Sequence, residues 1–265
     1  MRLLCTVFIF LCVAFSTKAQ GTPEDLEALE LERTIYAADT PSAHNKAVMA
    51  KAEVRKQQGL YREALRELSR VRPYALDGEE LAAYYYERSL VAYLAGDFDL
   101  SLGAVDERRI YLADHPEEPM LLLVEALAAG EKGDWQRSQE AANRHAASTP
   151  DPQKLTTDLA EIYKNTPRLR NPEVAYWLSF LPGLGQLYAG EPWSALVSLV
   201  ANGALATFGV SEMMAGHWLS GWIVGCGGLS TTFFVGQERA RTLTERHNAQ
   251  ALRSHNDLLR KALLN

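Results

Sequence analysis

The sequence predicts an all-α protein in two parts: helical hairpins facing water, then a transmembrane helical hairpin with a C-terminal amphipathic helix. Three observations predict it. Glycines 59, 96 and 133 recur at an interval of 37 residues inside a repeated pattern of small and aromatic positions. Residues 193–211 and 218–236 are two 19-residue stretches without a charge. A short apolar run with a charged start opens the chain. The composition, 47% hydrophobic and 23% charged over 265 residues, excludes disordered and collagenous classes, and the length allows one large domain or two small ones. The mean hydropathy of −0.17 averages a polar first two-thirds with an apolar last third. Residues 20–150 carry 24 acidic and 15 basic side chains, so the footprint of a nucleic-acid-binding surface is missing there and no nucleic-acid partner is expected. From Glu238 onward the balance reverses, with six basic against three acidic residues.

Residues 1–19 read as a secretory signal peptide: Met1-Arg2, an apolar run over 3–15, then Ser16-Thr17-Lys18-Ala19, with cleavage expected after Ala19. The run is shorter than the roughly 17–25 residues of a span. Cys5 and Cys12 lie inside it, which leaves Cys226. A single thiol in an apolar stretch forms no internal disulfide and is read as a small buried hydrophobe.

Residues 20–165 are assigned to helical repeats, with units near 42–75, 78–116 and 118–150. The 37-residue shift that aligns Gly59, Gly96 and Gly133 also aligns Ala52, Ser89 and Ala126, then Tyr61, Phe98 and Trp135, then Ala64, Ser101 and Ser138. Each unit is a helical hairpin on physical grounds. The glycine ends the first helix, Asp97 and Asp134 are good N-caps for the second, the aromatic fills the wedge, and the small residues let the two helices approach. Leu60 stands where the other units have aspartate, so the second helix of the first unit should start less sharply. Its stripe is Tyr61, Ala64, Leu65, Leu68 and Val71; the next is Phe98, Ser101, Leu102, Val105 and Leu112, on helical spacing. The Tyr84-Tyr85-Tyr86 run and Tyr93 are read as packing between helices, and Asp97, Asp99, Asp106, Glu107, Glu117 and Glu118 as a solvated acidic face. Further helices over 24–38 and 151–164 cover the ends, as terminal elements of a repeat stack must.

Gln58-Gly59-Leu60-Tyr61-Arg62-Glu63-Ala64, Gly96-Asp97-Phe98 and Lys132-Gly133-Asp134-Trp135 resemble the tetratricopeptide repeat family, over about residues 42–150. The period departs from the family's 34, which implies helices nearly a turn longer. The resemblance implies a solenoid that binds a protein or peptide partner and has no catalytic chemistry. The acidic face adds an expectation of basic partners.

Residues 166–173 form a linker, and 174–236 a membrane domain. At about 1.5 Å per residue, 193–211 and 218–236 each reach roughly the hydrocarbon thickness, and the short link between them makes an antiparallel pair. Their glycines and serines permit close approach, and Trp193, Trp218 and Trp222 suit an interfacial belt. Before them, Pro182, Gly183, Gly185, Gln186, Tyr188 and Gly190 fall in an apolar segment, 174–190, read as re-entrant or interfacial. Gln186 and Asn202 are expected to hydrogen-bond backbone groups that the Pro-Gly break frees. The glycine pattern matches neither a dinucleotide fingerprint nor a phosphate loop. Residues 237–265 form a basic C-terminal helix.

The Pro-Gly-x-Gly-Gln-x-Tyr motif with two short spans and a following helix that bears Arg and Asn, here Gln237 through His247-Asn248, resembles an uncharacterised family of small bacterial envelope proteins, over about 171–250. The resemblance implies architecture and no reaction. Export by the signal places the repeats in the periplasm, and two spans return the C-terminus to that side. Arg239, Arg241 and Arg246 favour the cytoplasm instead, which a third crossing at 174–190 would satisfy. The reading adopted is two spans plus a re-entrant segment.

His44, His115, His145, His217, His247 and His255 show no metal-ligand spacing, and no nucleophile elbow occurs. No catalytic residue, cofactor or metal is expected, and the chain is not read as an enzyme. The expectation is a membrane-tethered scaffold of the bacterial cell envelope, integral to the inner membrane, within a possible larger envelope complex. The alternative is a small subunit of a transport, insertion or secretion machine in which the Pro-Gly-Leu-Gly-Gln-Leu-Tyr module is the working part.

Overall fold

A computed structural model describes residues 23–264, and every element among them is helical, with no strand. The expected signal peptide, with Cys5 and Cys12, lies outside the described residues. The chain divides into two compact units, with the boundary between Leu159 and Ala160.

The first unit holds α1 (Pro23–Ala37), α2 (Pro41–Gln57), α3 (Tyr61–Leu68), α4 (Gly78–Leu94), α5 (Phe98–Tyr111), α6 (Pro119–Lys132) and α7 (Trp135–Ala147). α8 (Pro152–Lys164) crosses the boundary. Helix starts follow local chemistry. Pro41 and Pro119 open α2 and α6, where a missing N–H costs nothing. Asp77 and Glu80 form a reciprocal capping box at α4. Asp97 and Asp134 accept from Leu100 N (3.1 Å) and Arg137 N (3.2 Å). Leu60 makes no side-chain cap, and α3 is only 8 residues long against 14 for α5 and 13 for α7.

The pairs α2–α3, α4–α5 and α6–α7 each turn at a glycine, and Gly59, Gly96 and Gly133 all have positive φ (73°, 78° and 74°), the region that side chains rarely adopt. Each pair packs within itself and on its neighbour, and α4 also touches α6. The core of the first two pairs gathers Val48, Ala52, Ala64, Leu68, Tyr84, Tyr85, Val91 and Ala104. Tyr84 and Tyr85 lie 5.2 Å apart between ring centroids, and burial pushes the Tyr85 hydroxyl up to about 12.

The second unit holds α9 (Pro172–Leu178), α10 (Leu184–Tyr188), α11 (Pro192–Met214), α12 (Trp218–Ser220), a π-turn over Gly221–Gly227 and α13 (Gly228–Leu264). The last three join into one uninterrupted 47-residue helix, Trp218–Leu264. No break marks residue 236, where the expected span ends and the basic helix begins. No proline or helix-ending glycine follows that point in the sequence, so nothing stops the hydrogen-bond ladder. α11 and Trp218–Leu264 are both long and apolar enough to cross a membrane, and 11% of each apolar window is buried.

Candidate functional site

The repeat signature positions meet inside each hairpin. Ala52, Ala64, Ser89, Ser101, Ala126 and Ser138 are all buried. The Ser89 hydroxyl donates to Ser101 O (3.1 Å) and Ser138 Oγ to Ala126 O (2.7 Å), so residues twelve apart face each other across the turn. Tyr61, Phe98 and Trp135 sit half-buried beside the turns, with Phe98 5.8 Å from Tyr93. These residues set the spacing between helices.

Two ion-pair networks fasten the first unit. Glu32 on α1 accepts from Lys51 on α2 (2.5 Å) and from Arg70 after α3 (2.9 Å), and Glu67 joins both cations. The Arg70 and Lys51 hydrogen bonds hold the Glu32 carboxyl at about 2, and Arg70 is raised in return, chiefly by its bond to Glu32. In the second network Glu125 on α6, 1% exposed, takes Arg109 bidentately (2.8 and 2.5 Å), Arg137 (2.8 Å) and Arg144 (3.2 Å). Asp106 and Glu117 pair with the outer faces of these arginines, and Glu107 pairs with Arg88 (2.6 Å). The acidic residues expected as a solvated face are thus partly committed: Asp106, Glu107 and Glu117 neutralise arginines brought from other helices. Sequence reading missed Glu125. Its signal is a single carboxylate in an otherwise uncharged run, 119–130. Such a buried charge stands only if it is paired.

The motif of the second unit is a packed helical turn. Gly183 and Gly190 have φ of 91° and 88°. A Cβ on Gly185 would collide with Ser179 Oγ and Ala175 O, and would lie 2.9 Å from Ala240 Cβ on α13. Asn171 N donates to Tyr188 Oη (3.1 Å), so the two ends of 171–188 meet at one level. Above them Asn248 pairs with both backbone groups of Arg170, accepting from its N–H (2.9 Å) and donating to its carbonyl (2.7 Å). Phe180 lies 5.3 Å from Phe233 and is stacked on Trp177.

Gln186 and Asn202 do not serve the backbone that Pro182 interrupts. Gln186 Nε2 donates to Gly236 O on α13 (3.0 Å). Asn202 Nδ2 donates to Ser198 O in its own helix (2.8 Å), and its Oδ1 accepts from Thr232 Oγ1 (2.8 Å). The turn is helical on both sides of Gly183, which leaves few groups for them to satisfy, so both amides tie helix to helix. Gln186 Oε1 and Gln237 Nε2 are buried without a partner.

α11 crosses the long helix at Gly209: a Cβ there would sit 2.7 Å from Gly225 Cα, and one on Gly221 2.9 Å from Gly209 O. The π-turn lies at this contact. Cys226 is exposed, not the buried hydrophobe expected, because Gly221 and Gly225 take the inward face. Trp193, Trp218 and Trp222 are exposed as well. Among the described residues no three His, Cys, Asp or Glu side chains converge on a metal-sized site. No protein-family model, curated protein or solved structure matches this chain.

Proposed function

We propose that the chain is a membrane-anchored scaffold of the bacterial cell envelope. A tetratricopeptide-like first unit holds a protein or peptide partner in the periplasm, and the second unit fixes that platform in the inner membrane. One observation carries the reading: the two apolar helices bury only 11% of their apolar windows. Exposed hydrophobic area of this extent is foreign to a water-soluble surface and natural to lipid, where glycines such as Gly209 and Gly225 join helices by close contact. The repeat reading is supported by three hairpins that turn at glycines of like conformation, 37 residues apart.

Alkaline carbonate extraction followed by crosslinking in intact membranes tests both halves. The protein should stay with the lipid and co-purify with a reproducible partner. Release by carbonate removes the anchor, and absence of any crosslinked partner removes the scaffold.

A second reading makes the Pro-Gly-Leu-Gly-Gln-Leu-Tyr module the working part of a transport, insertion or secretion machine. The unpartnered Gln186 Oε1 and Gln237 Nε2 favour it, since a buried polar atom without a partner calls for an explanation and a working role supplies one. Gln186→Leu separates the readings: lost function with insertion and partners intact selects the machine.

A further inference from the structure

We infer that a trough along the glycine turns of the first unit binds an acidic, leucine-bearing peptide segment of the partner. This rests on the scaffold reading and names the chemistry of the partner.

The trough, about 610 Å³, lies between α3 and the turn at Gly96, and Lys132 is part of its lining. A second hollow of about 300 Å³ by Gly59, Leu60 and Leu94 shares Arg62 and Ala95 with it, which makes one elongated depression. Its apolar lining includes Leu65 and Phe98, half-buried, and Leu60 and Leu94, 39% and 40% exposed.

The charges at this edge are unequal in availability. Asp97 is engaged by Leu100 N as a helix cap, and Asp99 is paired with Lys132. Arg88 is held by Glu107. Arg62 and Arg66 are exposed, one helical turn apart on α3, and have no ion pair among the described residues. Glu63, beside Arg62 in the second hollow, faces Arg55 at 3.6 Å. Asp97 has a backbone N–H and no cation as its partner, so two unpaired cations stand against one carboxylate; the net unmet charge is positive, on two guanidinium forks suited to carboxylates.

The surrounding sequence is acidic, with 24 acidic against 15 basic residues over 20–150. An acidic segment is repelled by most of that surface and accepted at this edge, so repulsion elsewhere sharpens the choice. The overall charge balance pointed to basic partners; the trough selects the opposite sign.

The test uses the full chain in nanodiscs of zwitterionic lipid and a short fluorescent peptide alternating Glu and Leu, with Gln-Leu and Lys-Leu counterparts. The Glu peptide should bind at least about tenfold more tightly than either counterpart and weaken with salt. Arg62→Glu/Arg66→Glu should abolish that preference, and Arg62→Gln/Arg66→Gln should reduce it, with unchanged thermal melts. Arg253→Glu should leave it intact. Equal binding of the Gln or Lys peptide, or binding indifferent to both double variants, overturns the inference. If native partners crosslink equally to wild type and to Arg62→Glu/Arg66→Glu, the scaffold stands and the trough falls. If the peptide binds as expected while no native partner crosslinks, the trough stands and the scaffold falls.

Discussion

Glu125 is the residue on which the third hairpin turns. Three arginines from α5 and α7 converge on one carboxylate that is 1% exposed, and removing the negative member takes from all three the partner they share, leaving only Asp106 and Glu117 at their outer faces. Glu125→Gln should therefore cost about 3 kcal/mol, read as a lower thermal midpoint by circular dichroism, while Glu140→Gln on the exposed face of α7 should be near neutral. Glu32 makes a different prediction because it titrates. Its folded carboxyl sits at about 2 against an ordinary 4.5, so between those values the unfolded chain takes up a proton that the folded chain refuses. The contribution is complete above about pH 4.5 and disappears as pH falls toward 2. With a quarter of the side chain exposed, screening limits it to the order of 1 kcal/mol. Glu32→Gln should flatten the fall of the midpoint over that window.

At the level of elements, the hairpins were legible because each repeated column does one local job. A glycine ends a helix, an aspartate starts the next, and small residues twelve apart touch. Gly96→Ala should cost about 1 kcal/mol, since its φ of 78° suits no side chain. Gly103→Ala should gain a similar amount, because it lies within α5 with open space around it; chemical unfolding of the two variants should shift in opposite directions. What the sequence hid is non-local. The arginines gathered on Glu125 come from positions 109, 137 and 144, the partner of Gln186 is fifty residues away at Gly236, and the outward turn of Cys226 depends on which glycines meet Gly209. None of these pairings leaves a periodic trace. Gly209→Leu should separate α11 from the long helix, seen as lost crosslinking between cysteines placed at Leu205 and Gly228, which pack together in the native pair.

For the whole molecule, the closed turn at 171–188 decides how many times a bilayer is crossed under the proposed function. Its ends meet through Asn171 and Tyr188, so it enters and leaves on one side, and Arg170 stays beside Asn248. Cysteines at Leu169 and Arg253 should react with an impermeant maleimide from the same face, and one at Gly216 from the other. Labelling of Leu169 and Arg253 from opposite faces would rule out the two-span arrangement. The unbroken helix from Trp218 to Leu264 carries a mechanical consequence. About 42 Å of rigid rod extends past Gly236 at 1.5 Å per residue, so a tilt of roughly 10° in the lipid-held portion swings the far tip by about 7 Å. A tilt imposed by bilayer thickness would then be passed along one unbroken rod to Leu259 and Leu263, which are buried, so whatever packs on them moves with the lipid-held portion.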